Sequence, residues 1–300
     1  MADEARSVIH HKEPSRFSKW PPLLLLLVFL SVYGWNGLIV QHWDSAPVRW
    51  VTAVLPIPAA TVNGAVVTYY HLLKRRDVLV WLQDDDGQAS DKEALLSVAL
   101  DALIRQEVME QLADDLEVKV SKDDLQAART KLMGEMSDDD FKTKIKSELN
   151  MSGAGFTEVV LAPLALAHKL EATVWSSAEI QEDKRGKIDQ AIGELAAGIS
   201  FAVVAEKYSD DASASDGGDL GYLTAATLPE GWDALLTTIE GSITPVMETE
   251  RAFVLAKVAW LIEDANDIQI RTQAIIVKKK TLDQVVDDKL AASAVDRLIE

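Results

Sequence analysis

The sequence predicts an α+β protein that opens on a single transmembrane helix. Three observations carry that prediction. Residues 21–40, PPLLLLLVFLSVYGWNGLIV, hold no charge. Residues 91–170 set apolar side chains at helical spacing behind Ser–Asp cap signals. Residues 268–278 alternate and then turn apolar, as a buried strand does, downstream of a Gly217-Gly218 turn. The 300 residues suffice for two small domains, and a hydrophobic share of 48% marks a globular chain rather than a disordered one.

The N-terminal run is long enough to match a bilayer core, and Trp20, Tyr33, Trp35 and Trp43 suit its interfacial belts. Lys12, Arg16 and Lys19 precede it, with no acid between Arg16 and the run. That bias predicts a cytoplasmic tail (1–19), an anchor (20–40) and a single-pass protein of the cell membrane with its bulk extracytoplasmic. The alternative is a cleaved signal peptide, against which stand the length of the run and the lack of a clear A-x-A site. Residues 41–60 then form a linker.

From residue 61 to 173 a helical domain is expected. Val62-Asn63-Gly64 contains an Asn-Gly tight turn. Leu95, Leu96, Ala99, Leu103, Val108, Leu112 and Leu116 mark a long helix over 91–118. Ser121 caps a second helix through Met136, Ser137 a third, and Ser152 a fourth running past Pro163 to Leu170. The V-N-G start and this helix order resemble the N-terminal chaperone domain of SurA- and PrsA-type foldases.

Residues 201–221, FAVVAEKYSDDASASDGGDLG, join an apolar helix face (Phe201, Val204, Ala205, Tyr208) to a polar turn and a glycine-rich loop. Leu228-Pro229-Glu230-Gly231-Trp232 and Ile239 to Val246 follow, then Phe253 to Val258. This order resembles the parvulin family of peptidyl-prolyl isomerases over roughly 180–260. The resemblance implies an antiparallel sheet with flanking helices over 174–264. It also implies a shallow apolar cup for a proline ring, lined by Leu220, Leu228, Trp232 and Phe253. Asp211 falls where the family carries Cys or Asp, and is the candidate catalytic residue. The bland reading of Asp211 is a turn residue bonded to its own backbone. Isomerisation needs no covalent step, metal or cofactor: the catalyst favours a twisted amide over the planar one.

One departure matters. Parvulins place two histidines on neighbouring central strands, and here those positions hold Val254 and Ala274. The five histidines of the chain, at 9, 10, 42, 71 and 168, fit neither strand. The strand that opens the family's domain is missing upstream of residue 185. A degraded copy, Arg271-Thr272-Gln273-Ala274-Ile275-Ile276-Val277-Lys278, appears near the C-terminus. Residues 265–300 are therefore expected to add a strand and an amphipathic helix (Leu282, Val285, Val286, Leu290, Val295, Leu298) to the sheet, as in a circular permutation. The alternatives are a separate appendage or the remnant of a second repeat.

A net charge of −18 argues against nucleic acid as a partner, and the absence of cysteine excludes disulfides, thiol catalysis and Cys-based zinc sites. The acidic clusters at 84–86, 114–124 and 138–140 lack the ligand alternation of a calcium loop. The expected function is a membrane-anchored foldase that binds unfolded or nascent secreted polypeptides, with isomerase activity weak or lost. The alternative is a non-catalytic parvulin-like scaffold in an envelope complex.

Overall fold

The computed structural model describes residues 44–84, 92–149, 151–264 and 267–299, together with Gly34 and Gly37. Apart from Gly34 and Gly37, the expected anchor at 20–40 lies outside the described residues. Among the described residues no single helix is long and apolar enough to cross a membrane. The chain divides into two compact units, one running to Ile104 and taking in the segment from Ala294, the other covering Arg105–Ser293.

The first unit begins with helix α1 (Ala46–Val54), followed by strands β1 (Pro58–Val62) and β2 (Ala65–Thr68) and helix α2 (Tyr69–Asp84). The β1–β2 hairpin turns on Asn63 (φ 52°) and Gly64 (φ 87°), the left-handed pair a two-residue hairpin requires. β1 also pairs antiparallel with β7 (Val295–Arg297), giving the sheet order β2-β1-β7. Asn63 reinforces the join: its N–H donates to the Ala294 carbonyl at 2.8 Å, and its Oδ1 accepts from the Ala294 N–H at 2.9 Å. The amphipathic helix expected over 282–298 therefore corrects to two elements. Helix α10 (Leu282–Ala291) ends first, and Val295 belongs to a strand in the N-terminal sheet. The apolar spacing continues past Ala291, but the backbone of 295–297 is taken by β1, a pairing too distant in sequence for local spacing to register.

Helix α3 (Lys92–Asp115) spans the division between the units and buries Leu95, Leu96, Ala99, Leu103, Val108 and Leu112. In the second unit, α4 (Lys122–Met133), α5 (Asp138–Glu148) and α6 (Gly153–Phe156) start at Ser121, Ser137 and Ser152. Each serine hydroxyl accepts a backbone N–H from the first turn, relieving an orphan donor. A π-helical turn (Thr157–Leu161) links α6 to α7 (Ala162–Ser176). There the Ala162 N–H reaches back five residues to the Thr157 carbonyl. Pro163, next in line, has no N–H to give, and the wider turn lets the chain pass it without a break.

The remaining elements are α8 (Glu182–Ala196), α9 (Phe201–Tyr208), β3 (Asp219–Thr224), β4 (Met247–Glu248), β5 (Ala252–Asp264) and β6 (Asp267–Lys278). They build an antiparallel sheet in the order β3-β6-β5-β4. β6 lies second in that sheet and pairs with β5 from Ala252↔Lys278 to Asp264↔Asp267. Helices α8 and α9 cover one face, where Ile188, Ala191, Phe201, Val204, Ala205 and Tyr208 pack on Phe253, Leu255, Ile275 and Val277. Gln181, buried beside α7, ties the segment after β6 in place. Its amide N–H donates to the carbonyls of Val174 (2.9 Å) and Lys280 (3.1 Å), and its carbonyl accepts from the Lys280 N–H (2.7 Å).

Candidate prolyl-binding site

The side chains of a strand alternate between faces, so β5 and β6 present a second apolar surface opposite α8 and α9. Its floor is Ala252, Val254, Ala256 and Val258 from β5 with Ile270 and Ala274 from β6. Trp232, Leu235 and Met247 are buried with it, and Leu220, Leu223, Leu228, Ala234, Leu261 and Ile276 pack against it, partly exposed. The structure thus gathers Leu220, Leu228 and Trp232 into one cluster. Trp232 is only 5% exposed, so it belongs to the buried part of that cluster rather than to an exposed rim.

Phe253 does not belong there. It lies on the α8–α9 face beside Ile188 and Leu255, under the guanidinium of Arg185 at 5.4 Å and the ammonium of Lys279 at 5.1 Å. Its place in the expected cup is corrected by the pleat: Val254 faces the cup, so Phe253 must face away. Lys279 is held with it, its ammonium donating to the Trp175 carbonyl at 3.0 Å and pairing with Glu248 at 2.9 Å.

Val254 and Ala274 sit on the cup floor, 1% and 0% exposed, in the registers Val254↔Ile276 and Ala256↔Ala274. Neither carries a hydrogen-bonding group. Buried Thr272 shares their strand face, and its hydroxyl donates to the Ile270 carbonyl of its own strand at 3.1 Å. Thr244, also buried, runs beside β5: its N–H donates to the Ala256 carbonyl at 2.8 Å, and its hydroxyl accepts from the Ala256 N–H at 3.0 Å. The Thr272 O–H is thus spent on its own strand, and the Thr244 oxygen on the backbone of β5.

Asp211 caps the 3-10 turn Ala212–Asp216. Its Oδ1 accepts from the Ser213 hydroxyl at 2.6 Å and the Ser213 N–H at 2.9 Å. Those two bonds, with the charge of Lys278 nearby, hold its carboxyl below the usual carboxylate range. The neighbouring motif residues clip the sheet together. Tyr208 donates to Glu194 at 2.9 Å, and Ser209 Oγ accepts from the Ile276 N–H at 3.1 Å. The Asp210 N–H donates to the Ile276 carbonyl at 2.7 Å, while the Asp210 carboxylate takes the Lys278 N–H at 3.0 Å. Ser209 and Asp210 therefore fasten the edge of β6 that continues beyond β3, while Tyr208 ties α9 to α8.

Sequence reasoning missed Leu223, Leu235 and Met247 as members of the cup. Leu235 sits in a short 3-10 turn (Asp233–Thr237) and Met247 in a two-residue strand, segments too short to show a period.

With this geometry in view, the comparison with known families is direct: residues 158–260 match the family of the PPIC-type PPIASE domain. The chain carries a parvulin domain. The match ends at Trp260, before β6, the strand that completes the sheet. A stretch of 72 residues is 39% identical to the chaperone SurA of Chromobacterium violaceum, covering 24% of this chain and 17% of that protein.

Proposed function

We infer that this chain is a membrane-anchored extracytoplasmic foldase that holds unfolded or proline-containing secreted polypeptides, with little or no isomerase activity. The parvulin domain and the likeness to a chaperone support the foldase reading. The observation that carries the loss of rate is the face of β5 and β6 where Val254 and Ala274 offer no polar side chain to favour a twisted amide, while the buried Thr244 and Thr272 hydroxyls are bonded to backbone. Apolar surface still binds an apolar segment, because binding draws on area removed from water. The anchor rests on the charge-free run at 21–40 and its basic flank. A second reading, a non-catalytic scaffold for an envelope partner, is favoured by Asp211, whose carboxylate is engaged as a cap. The test pairs two assays on the detergent-solubilised chain: suppression of aggregation of an unfolded client, and acceleration of X–Pro isomerisation in a tetrapeptide. Holding without acceleration supports the foldase reading; failure in both, with tight binding of one native envelope protein, supports the scaffold.

A further inference from the structure

Helix α1 turns its polar side toward α2 and exposes its apolar one. Arg49 turns toward α2, bonding Asp77 at 2.6 Å and Asp44 at 2.5 Å, and Thr52 is buried with its hydroxyl on the Arg49 carbonyl. Arg76 of α2 joins the same carboxylates, so the inner side is a closed ion-pair network. The outer side is Ala46, Pro47, Trp50, Val51 and Val54, followed by the C-cap residue Leu55, all exposed and none charged or polar. Trp50 is 71% exposed, Val54 65% and Leu55 55%. Their spacing follows one stripe of a helix. A soluble surface helix shows the reverse arrangement, and a contiguous exposed apolar patch marks an interaction site.

The sequence ahead of α1 says which surface. The charge-free run ends at Val40, and five residues separate it from Ala46. Fully extended, that link reaches about 20 Å, so α1 stays within that distance of the end of the run. The interfacial layer on each side of a bilayer's hydrocarbon core is roughly 5–8 Å thick, and an interfacial helix sinks its apolar face about 5–10 Å into the headgroup boundary. We propose that the Trp50–Leu55 face of α1 lies in the lipid headgroup layer, fixing the first unit against the membrane. The proposal rests on the anchored reading above. A face this small, on a chain of net charge −18, would hold poorly by itself. Tethering raises its effective concentration at the bilayer and removes that difficulty.

The chain has no cysteine, so a single introduced thiol is a unique reporter. The experiment uses the full chain with Val54→Cys, labelled with a polarity-sensitive fluorophore and reconstituted in phosphatidylcholine vesicles. Flotation reads the anchor, and nitroxide-bearing lipid and aqueous iodide read the position of α1. The expected result is co-flotation, quenching by shallow nitroxide lipid, and shielding from iodide. Adding Trp50→Ser and Leu55→Ser should abolish the lipid quenching while co-flotation persists. Co-flotation with full iodide quenching, or lipid quenching that survives the serine pair, overturns the proposal and leaves the anchor standing. Shielding from both quenchers shows that protein covers the face, and also overturns it. Failure to co-float removes the anchor, and the proposal with it.

Discussion

Gly218 and Ala274 approach so closely that a Cβ on the glycine would stand 2.3 Å from the Ala274 carbonyl oxygen. The Ala274 N–H donates to the Gly218 carbonyl at 2.8 Å, and Ala205 of α9 closes the other side, 3.2 Å from the same Cβ position. Helix α9, the glycine turn and β6 therefore meet at a point where no side chain fits. With φ at +79°, Gly218 carries both a steric and a backbone requirement. Gly218→Ala should cost about 3 kcal/mol, adding overpacking to left-handed strain. Gly221→Ala has the same sign of φ (+73°) but open space, and should cost about 1 kcal/mol. Urea denaturation of the two variants separates the terms; equal losses would mean that the close approach relaxes freely.

Asp211 is predicted to act on stability. Removing a side-chain cap costs about 1 kcal/mol, so Asp211→Ala should lower the urea midpoint at neutral pH by a corresponding amount. The carboxyl is held below its ordinary range by the Ser213 bonds, so its contribution is fully present above the unfolded-state value of about 4. It is lost as the pH falls through the lower folded-state value. The gap between wild type and variant should stay constant from pH 7 to about 5 and close below about 4. A gap that widens in acid would refute this assignment.

Much of this architecture is written locally. Ser121, Ser137 and Ser152 mark helix starts because a cap acts within three residues, and Asn63-Gly64 marks its hairpin because a two-residue turn needs left-handed backbone. The strand expected at 268–278 shows in its alternation. What stayed hidden is non-local. Val295–Arg297 is three residues long and joins a strand more than two hundred residues away, so no window of sequence contains the pairing. In the site, the motif placed Leu220, Leu228 and Trp232 together, but it could not assign Phe253 a face: one step of the pleat separates it from Val254.

β6 lies between β3 and β5, so the parvulin sheet should not survive its loss. Truncation after Asp264 leaves the inner edges of β3 and β5 unpaired, and the domain should lose its cooperative melt. A milder probe is Ile275→Ala. Ile275 is fully buried against α8 and α9, and its truncation should cost about 3 kcal/mol with the transition still cooperative. A truncated chain that melts at the wild-type temperature would show that β6 is an appendage.

The cup sets the last prediction. Its floor has Val254 and Ala274 where parvulins carry histidines, and its buried threonine hydroxyls are bonded to the backbone of the floor. Rate depends on interactions made with the twisted amide and not with the planar one, whereas binding draws on the partly exposed Leu220, Leu223 and Leu228. The two properties should therefore part. Leu228→Asn, at a partly exposed position, should weaken holding of an unfolded client several-fold while leaving the melting temperature within a few degrees, as surface substitutions do. Trp232→Ala is a different experiment, because the ring is buried: it should cost about 3–5 kcal/mol, and any loss of binding would follow from damage to the fold. In a tetrapeptide assay the wild-type chain should accelerate X–Pro isomerisation weakly or not at all, and Asp211→Ala should leave that residual rate unchanged. Efficient catalysis abolished by Asp211→Ala would show that the capping carboxylate leaves Ser213 to meet the substrate, and that the site works without its histidines.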